Sequence, residues 1–260
     1  GNTASYNIAI GGNAVGGTTA STTTDLTAAN NVGIGWGALA TISTGSHNIA
    51  IGKDAANVLT TGVQNIVIGT QAGTNMTTED ECVLIGYQAG TALTADGADG
   101  TVAIGYQAGA AITSGSENVA VGMQAGNTTS TAEYCTFVGH QSGGTSNGNY
   151  NTALGWRSGN DQTTGTGNTS IGADSGGNAD VAHSGSDNTC LGYYAGRTLQ
   201  DVTGNAPSGN TIIGHAAADV LTSGDDNIAI GRDVAMSSAT VGSEIVIGVG
   251  ATGQGTNTAT

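Results

Sequence analysis

The sequence predicts an all-β fold, a parallel β-solenoid, from three observations. A unit of the form Asn-x-small-aliphatic-Gly-x-x-Ala-Gly recurs fourteen times; apolar residues within it fall two apart; and glycine interrupts every unit. The central glycines are Gly11, Gly35, Gly52, Gly69, Gly86, Gly105, Gly122, Gly139, Gly155, Gly172, Gly192, Gly214, Gly231 and Gly248. Their commonest spacing is 17 residues, stretched to 24 at the first step and to 19, 20 and 22 later, so the longer steps are expected to bulge from one edge as loops. Self-similarity at such a period is the signature of a stacked repeat, in which each unit buries its apolar face only against its neighbours.

Positions are counted from the central glycine as zero. Position −1 is Ile, Val or Leu in all fourteen units, and position −3 is β-branched throughout, from Ile8 to Ile245. That period of two marks a short strand, and the −1 and −3 residues are expected to face inward. Position +7 carries Ile42, Leu59, Met76, Leu93, Ile112, Leu199 and Leu221, an apolar contact expected from a second strand on the opposite wall. Ala or Ser at +3, in all units except for Val234, suits two walls that come close. Glycine recurs at −7, from Gly45 to Gly224, where a tight turn with positive φ is expected. Fourteen coils at the strand spacing of ~4.8 Å give a rod on the order of 65 Å, read as one domain over residues 1–260. Helix is disfavoured because the apolar spacing is wrong and glycine is everywhere. Position −2 (Ala9, Ala50, Val67, Leu84, Phe137, Ile212 and others) is small or apolar too. On the outer face of the strand, such a stripe points to packing against other chains, and hence to a homotrimer.

Composition narrows the function classes. With 46 Gly, one Phe and 37% hydrophobic residues, no broad globular core can be built; without the repeat such a chain would read as disordered. A net charge of −15 opposes a grip on nucleic acid or anionic lipid. No window has the length and apolarity of a membrane span, and residues 1–30 lack a signal-peptide pattern.

The units Asn7-Ile8-Ala9-Ile10-Gly11, Asn48-Ile49-Ala50-Ile51-Gly52 and Asn227-Ile228-Ala229-Ile230-Gly231 resemble the Asn-x-Ala-Ile-Gly repeats of YadA-like heads in trimeric autotransporter adhesins. Ile85-Gly86-Tyr87-Gln88-Ala89-Gly90 and Ile104-Gly105-Tyr106-Gln107-Ala108-Gly109 are similar to the Ile-Gly-Tyr-Gln-Ala repeats of bacteriophage tail fibres. The resemblance covers nearly the whole chain. It implies a left-handed parallel β-roll, three chains about one axis, and attachment to a host or surface from an extracellular or virion-surface position. The 17-residue unit is longer than the usual adhesin-head repeat, and no heptad stalk, neck or anchor strands are seen, which favours the phage fibre over the adhesin.

Motifs of other classes have simpler readings. Ala173-Asp174-Ser175-Gly176-Gly177 resembles the nucleophile segment of chymotrypsin-like proteases, but it fills the slot that holds Gln-Ala-Gly elsewhere, and no His-bearing partner motif accompanies it. Gly248-Val249-Gly250-Ala251-Thr252-Gly253 fits a dinucleotide fingerprint without the helix that should follow. The acids Glu79-Asp80-Glu81, Asp225-Asp226, Asp96 and Asp99 could offer oxygens to Ca²⁺ but have no calcium-loop spacing, so solvated turns are expected. Acids paired across coils in a groove would instead mark a polysaccharide depolymerase. Cys82, Cys135 and Cys190 lie three units apart, too far for disulfides within the chain; they read as buried free thiols, or as contacts between chains. His47, His140, His183 and His215 share no metal-ligand spacing. No catalytic residue, cofactor or metal is expected.

Position +1 collects Trp36, Tyr87, Tyr106, Trp156 and Tyr193, with His140 and His215. Exposed rings suit stacking on sugars, so these five aromatics are the candidate receptor or glycan contacts, with packing between chains as the alternative. Ice binding by threonine arrays fares worse, because coils of variable length are expected to break the flat lattice it needs.

Overall fold

The computed structural model describes residues 5–16, 27–94, 97–177, 183–201 and 204–256. The chain is an all-β parallel solenoid, divided into two compact units, Gly1–Thr131 and Ala132–Thr260, and no helix occurs among the described residues. The first unit holds strands β1 (Ile8–Ile10), β2 (Val32–Ile34), β3 (Ile49–Ile51), β4 (Ile66–Ile68), β5 (Val83–Ile85), β6 (Val102–Ile104) and β7 (Val119–Val121). The second holds β8 (Thr136–Val138), β9 (Thr152–Leu154), β10 (Thr169–Ile171), β11 (Thr189–Leu191), β12 (Thr211–Ile213), β13 (Ile228–Ile230) and β14 (Ile245–Ile247). Within each unit consecutive strands pair in parallel, each repeat position against the same position of the next. Register survives the long steps: Ile8 pairs Val32 and Thr189 pairs Thr211, so the extra residues leave the strands in line.

Each repeat supplies one three-residue strand, not the two expected. The opposite wall, at +7, is built of turns, with only isolated bridges such as Gln162 to His183. The direction of the strand face is also reversed from expectation. Ala50, Val67, Leu84, Ala103 and Ala120 at −2 are fully buried, and so in the second unit are Phe137, Cys190, Ile212 and Val246. Meanwhile Ile10, Ile66, Leu154, Leu191, Ile245 and Ile247, at −1 and −3, are exposed. The reason is the width of the coil. Position −2 meets small residues at +3 and aliphatic ones at +7, and this narrow space has room for one side chain per strand; the two flanking it must point out.

Interior volume is balanced between columns. Ile42, Leu59, Met76, Leu93 and Ile112 fill the first unit from +7 against mostly small −2 residues. Where +7 is only Ser146, the −2 position is Phe137, whose ring lies against Gly143 and leaves no room for a side chain there.

The recurrent Asn at −4 points inward and forms a ladder. Asn48 Nδ2 donates to Asn31 Oδ1 (3.1 Å) and to the Gly62 carbonyl (2.8 Å), and its Oδ1 accepts from the backbone and side-chain nitrogens of Asn65 (both 3.0 Å). The second unit repeats this through Asn168, Asn188, Asn210 and Asn227, ending where Glu244 N donates to Asn227 Oδ1. Every amide of the ladder thus satisfies buried backbone groups that the short strands leave over.

The glycine at −7 is not in a positive-φ turn as expected; Gly45, Gly62, Gly148 and Gly224 are absent from that region of φ. A side chain there would strike the carbonyl of the next −7 residue, for instance Gly62 against Glu79. The left-handed conformation belongs to the central glycine, at φ +134° in Gly52 and +140° in Gly69, whose Cα faces the backbone of the next central glycine.

Replacing Leu84 by Ala is expected to destabilise the protein by about 2–5 kcal/mol through a cavity. Asn48→Ala should cost about 1–3 kcal/mol for each buried group left unpaired. Chemical denaturation of both variants checks this; a loss for Asn48→Ala below that of an exposed-site control such as Thr44→Ala would refute the ladder's role.

Candidate functional site

The +1 residues do point outward, side by side along the sheet edge. Trp36, Tyr87, Tyr106, Trp156 and Tyr193 are each about half exposed. Each has a neighbouring side chain against its ring. Tyr87 and Tyr106 stack on one another, with centroids 5.5 Å apart and planes at 14°. Tyr193 has Tyr194 stacked at 3.9 Å and His215 tilted at 5.4 Å. Trp156 donates through Nε1 to His140 Nδ1 at 3.0 Å and has the Arg157 guanidinium over its ring, and Lys53 lies over Trp36 at 5.6 Å. This column is a self-stacked spine. Next to it at +2, Gln71, Gln88, Gln107 and Gln124 link side chain to side chain, each amide nitrogen bonded to the previous oxygen.

A second aromatic pair escaped the sequence reading. Tyr134 and Tyr150, both at −5, stack at 5.3 Å with planes within 4° and are 44% and 62% exposed. Their signal was the shared repeat position in consecutive units, hidden because no other unit from β2 onward has an aromatic there.

The acids serve the backbone. Asp80 Oδ1 accepts from Val63 N at 2.7 Å, Asp99 Oδ1 from Asp80 N at 2.8 Å, and Asp225 Oδ1 from Ser208 N at 2.9 Å. Glu79 is buried, with Oε2 accepting from the Thr77 and Thr78 amides and Oε1 without a partner. Among the described residues no group of three His, Cys, Asp or Glu side chains could hold a metal, and no enclosed pocket is found; Asp96 lies outside the described residues. Ser175, of the protease-like segment, is buried, its hydroxyl 3.2 Å from Ser158 Oγ. The variable step lengths, expected to break any flat array, leave Thr136, Thr152, Thr169, Thr189 and Thr211 in register at −3, so that objection to an ordered threonine face does not hold.

The interior of the second unit contains a polar seam. Ser158 Oγ donates to the Ser170 carbonyl (2.6 Å), and Gln162 Nε2 donates to Ser170 Oγ (3.1 Å) and to the Gly176 carbonyl (3.3 Å). His183, fully buried, places Nε2 3.2 Å from the Gly176 carbonyl and leaves Nδ1 unpaired. Burial holds its pKa below the ordinary histidine value, against the opposing pull of the Gly176 carbonyl, Asp201 and Asp161.

The three cysteines are free and buried. Burial pushes Cys82 and Cys190 up to about 12 and raises Cys135 as well. Cys82 and Cys135 stand in the Asn column, and their thiols donate to the Ala98 and Gly148 carbonyls as the Asn amide does elsewhere.

Comparison with protein-family models, with curated proteins and with solved structures finds no match for this chain.

Two outcomes follow. Because the folded state binds the His183 proton more weakly than the unfolded chain, stability should fall as pH drops below about 6.5. Denaturant midpoints measured from about pH 7.5 to 5.5 should decline in the wild type and flatten in His183→Gln; parallel declines would refute the assignment. A thiol reagent at about pH 8 should modify none of the cysteines in the native protein and all of them after unfolding.

Proposed function

We propose that this chain is a non-enzymatic structural and adhesive segment of an extracellular fibre, a phage tail fibre or similar virion appendage, built on all fourteen repeats as a left-handed roll with three chains about one axis. The observation that carries the reading is the outer face of the sheet. Position −1 is Ile, Val or Leu in every repeat and −3 is Ile or Val in nine, yet both columns remain partly exposed, and residues such as Ile10, Ile66, Leu154 and Leu191 are open to solvent. An apolar column at −1, flanked at −3 by Ile or Val outside the run from Thr136 to Thr211, favours burial against identical faces of other copies. The homotrimer inference therefore moves from −2, now interior, to −1 and −3.

Attachment to a host surface rests on the similarity of the Ile-Gly-Tyr-Gln-Ala units to fibre repeats and on the exposed aromatics. The Asn-x-Ala-Ile-Gly units favour, as a second reading, the head of a trimeric autotransporter adhesin. A depolymerase spike gains no support from the acids, since Asp80, Asp99 and Asp225 are engaged by backbone amides. The charge of −15 argues against nucleic acid as a partner.

Light scattering of the purified chain should give about three times 25.1 kDa. Ile51→Asp and Ile68→Asp, on the outer face, should lower the mass to one chain with strand content retained, whereas Leu84→Asp should unfold the protein. A monomeric wild type, or a trimer untouched by both outer-face changes, would overturn the arrangement.

A further inference from the structure

We propose that the end of the Tyr134–Tyr150 stack is a binding subsite for a neutral pyranose, formed by the free face of Tyr150, the gap at Gly167 and the carboxylate of Asp187. The proposal rests on the surface-attachment reading and places the sugar contact at −5 instead of at the +1 aromatics.

The −5 column runs Tyr134, Tyr150, Gly167, Asp187, one residue per turn. Its register is fixed by backbone bonds: Tyr150 N donates to the Glu133 carbonyl (3.0 Å), Gly167 N to that of Asn149 (3.1 Å) and Asp187 N to that of Thr166 (2.9 Å). Tyr134 covers one face of Tyr150 with nearly parallel planes, so the other face looks along the column towards Gly167. Gly167 has no side chain to cover it, and Tyr150 is 62% exposed. Across the gap, Asp187 leans inward: a methyl group on Gly167 would come within 2.6 Å of Asp187 Oδ1. The carboxylate thus reaches the level of Gly167, one turn from Tyr150, about 4.8 Å between backbone levels at the strand spacing. At its side lie the hydroxyls of Thr166 and Ser186, 3.5 Å apart.

An aromatic face opposite a carboxylate matches a pyranose, which has an apolar C–H face for the ring and hydroxyl donors for the acid. A nucleotide or phosphorylated sugar is disfavoured by Asp187, by nearby Glu133 and by the charge of −15, so the proposed ligand carries no phosphate.

The test is saturation-transfer-difference NMR on the whole chain with methyl β-D-galactopyranoside, methyl α-D-glucopyranoside and N-acetylglucosamine as probes. Transfer is expected to the C–H protons of one face of at least one probe. Tyr150→Ala should abolish it, Tyr150→Trp should retain it, and Asp187→Asn should weaken binding about tenfold. Trp36→Ala should change nothing, and circular dichroism should show each variant folded. No transfer from any probe, or transfer that survives Tyr150→Ala, would overturn the site. The native mass is a separate readout: a trimer without transfer would remove the subsite and spare the fibre, whereas transfer in a monomer would do the reverse.

Discussion

The structure depends on one constraint, that backbone amides along each turn donate to the neighbouring turn, to the residue just before their counterpart. Asp54 N meets the Trp36 carbonyl, Ala56 N that of Ala72, and Gly52 N that of Ile34. A solenoid held in this way needs nearly the same path in every turn, because a deviation in one breaks bonds to two. The central glycine follows directly. In the left-handed conformation, with its Cα against the backbone of the next turn, it has no space for a side chain in either respect. The −7 glycines answer the second demand alone.

The interior then has little choice. One inward strand residue per turn, a small residue at +3 and an aliphatic at +7 make a core only a few side chains wide, and burial in so thin a core releases little apolar area per residue. Polar ladders supply the remaining cohesion. The Asn column closes the backbone groups beside the strands, the −6 acids and hydroxyls accept from the amides of the preceding turn, and the Gln column ties the outer edge. In such a structure a composition poor in large apolar residues is compatible with order, since the repeated bonds are made between neighbouring turns and not across a globule.

The same regularity makes departures informative. Phe137 compensates for Ser146; Cys82 and Cys135 replace Asn while keeping a donor for the facing carbonyl; the Ser–Gln–His seam exchanges apolar contacts for buried hydrogen bonds and leaves one imidazole nitrogen unpaired. On the outside, the departures are the aromatics. At +1 they stack on each other and on cationic neighbours, and at −5 Tyr150 stacks on Tyr134 with Gly167 at the next turn.

The sequence by itself determined the repeat, the strand positions within it, their parallel stacking within each unit and the thin core, because period-2 alternation and an invariant glycine are local signals. It also made the cysteines buried free thiols from spacing alone. It could not determine which face of a three-residue strand points inward. Ile51 and Ala50 are both apolar, and the larger side chain is the one that hydrophobicity alone would bury; only the width of the closed coil, set by +3 and +7 on the far side, reserves the interior for −2. Nor could it tell which rings would stack: apart from the adjacent pair Tyr193–Tyr194, contacts such as Tyr134 on Tyr150 and His215 against Tyr193 join residues 16–22 positions apart in sequence, and only the tertiary structure brings them to one turn's distance.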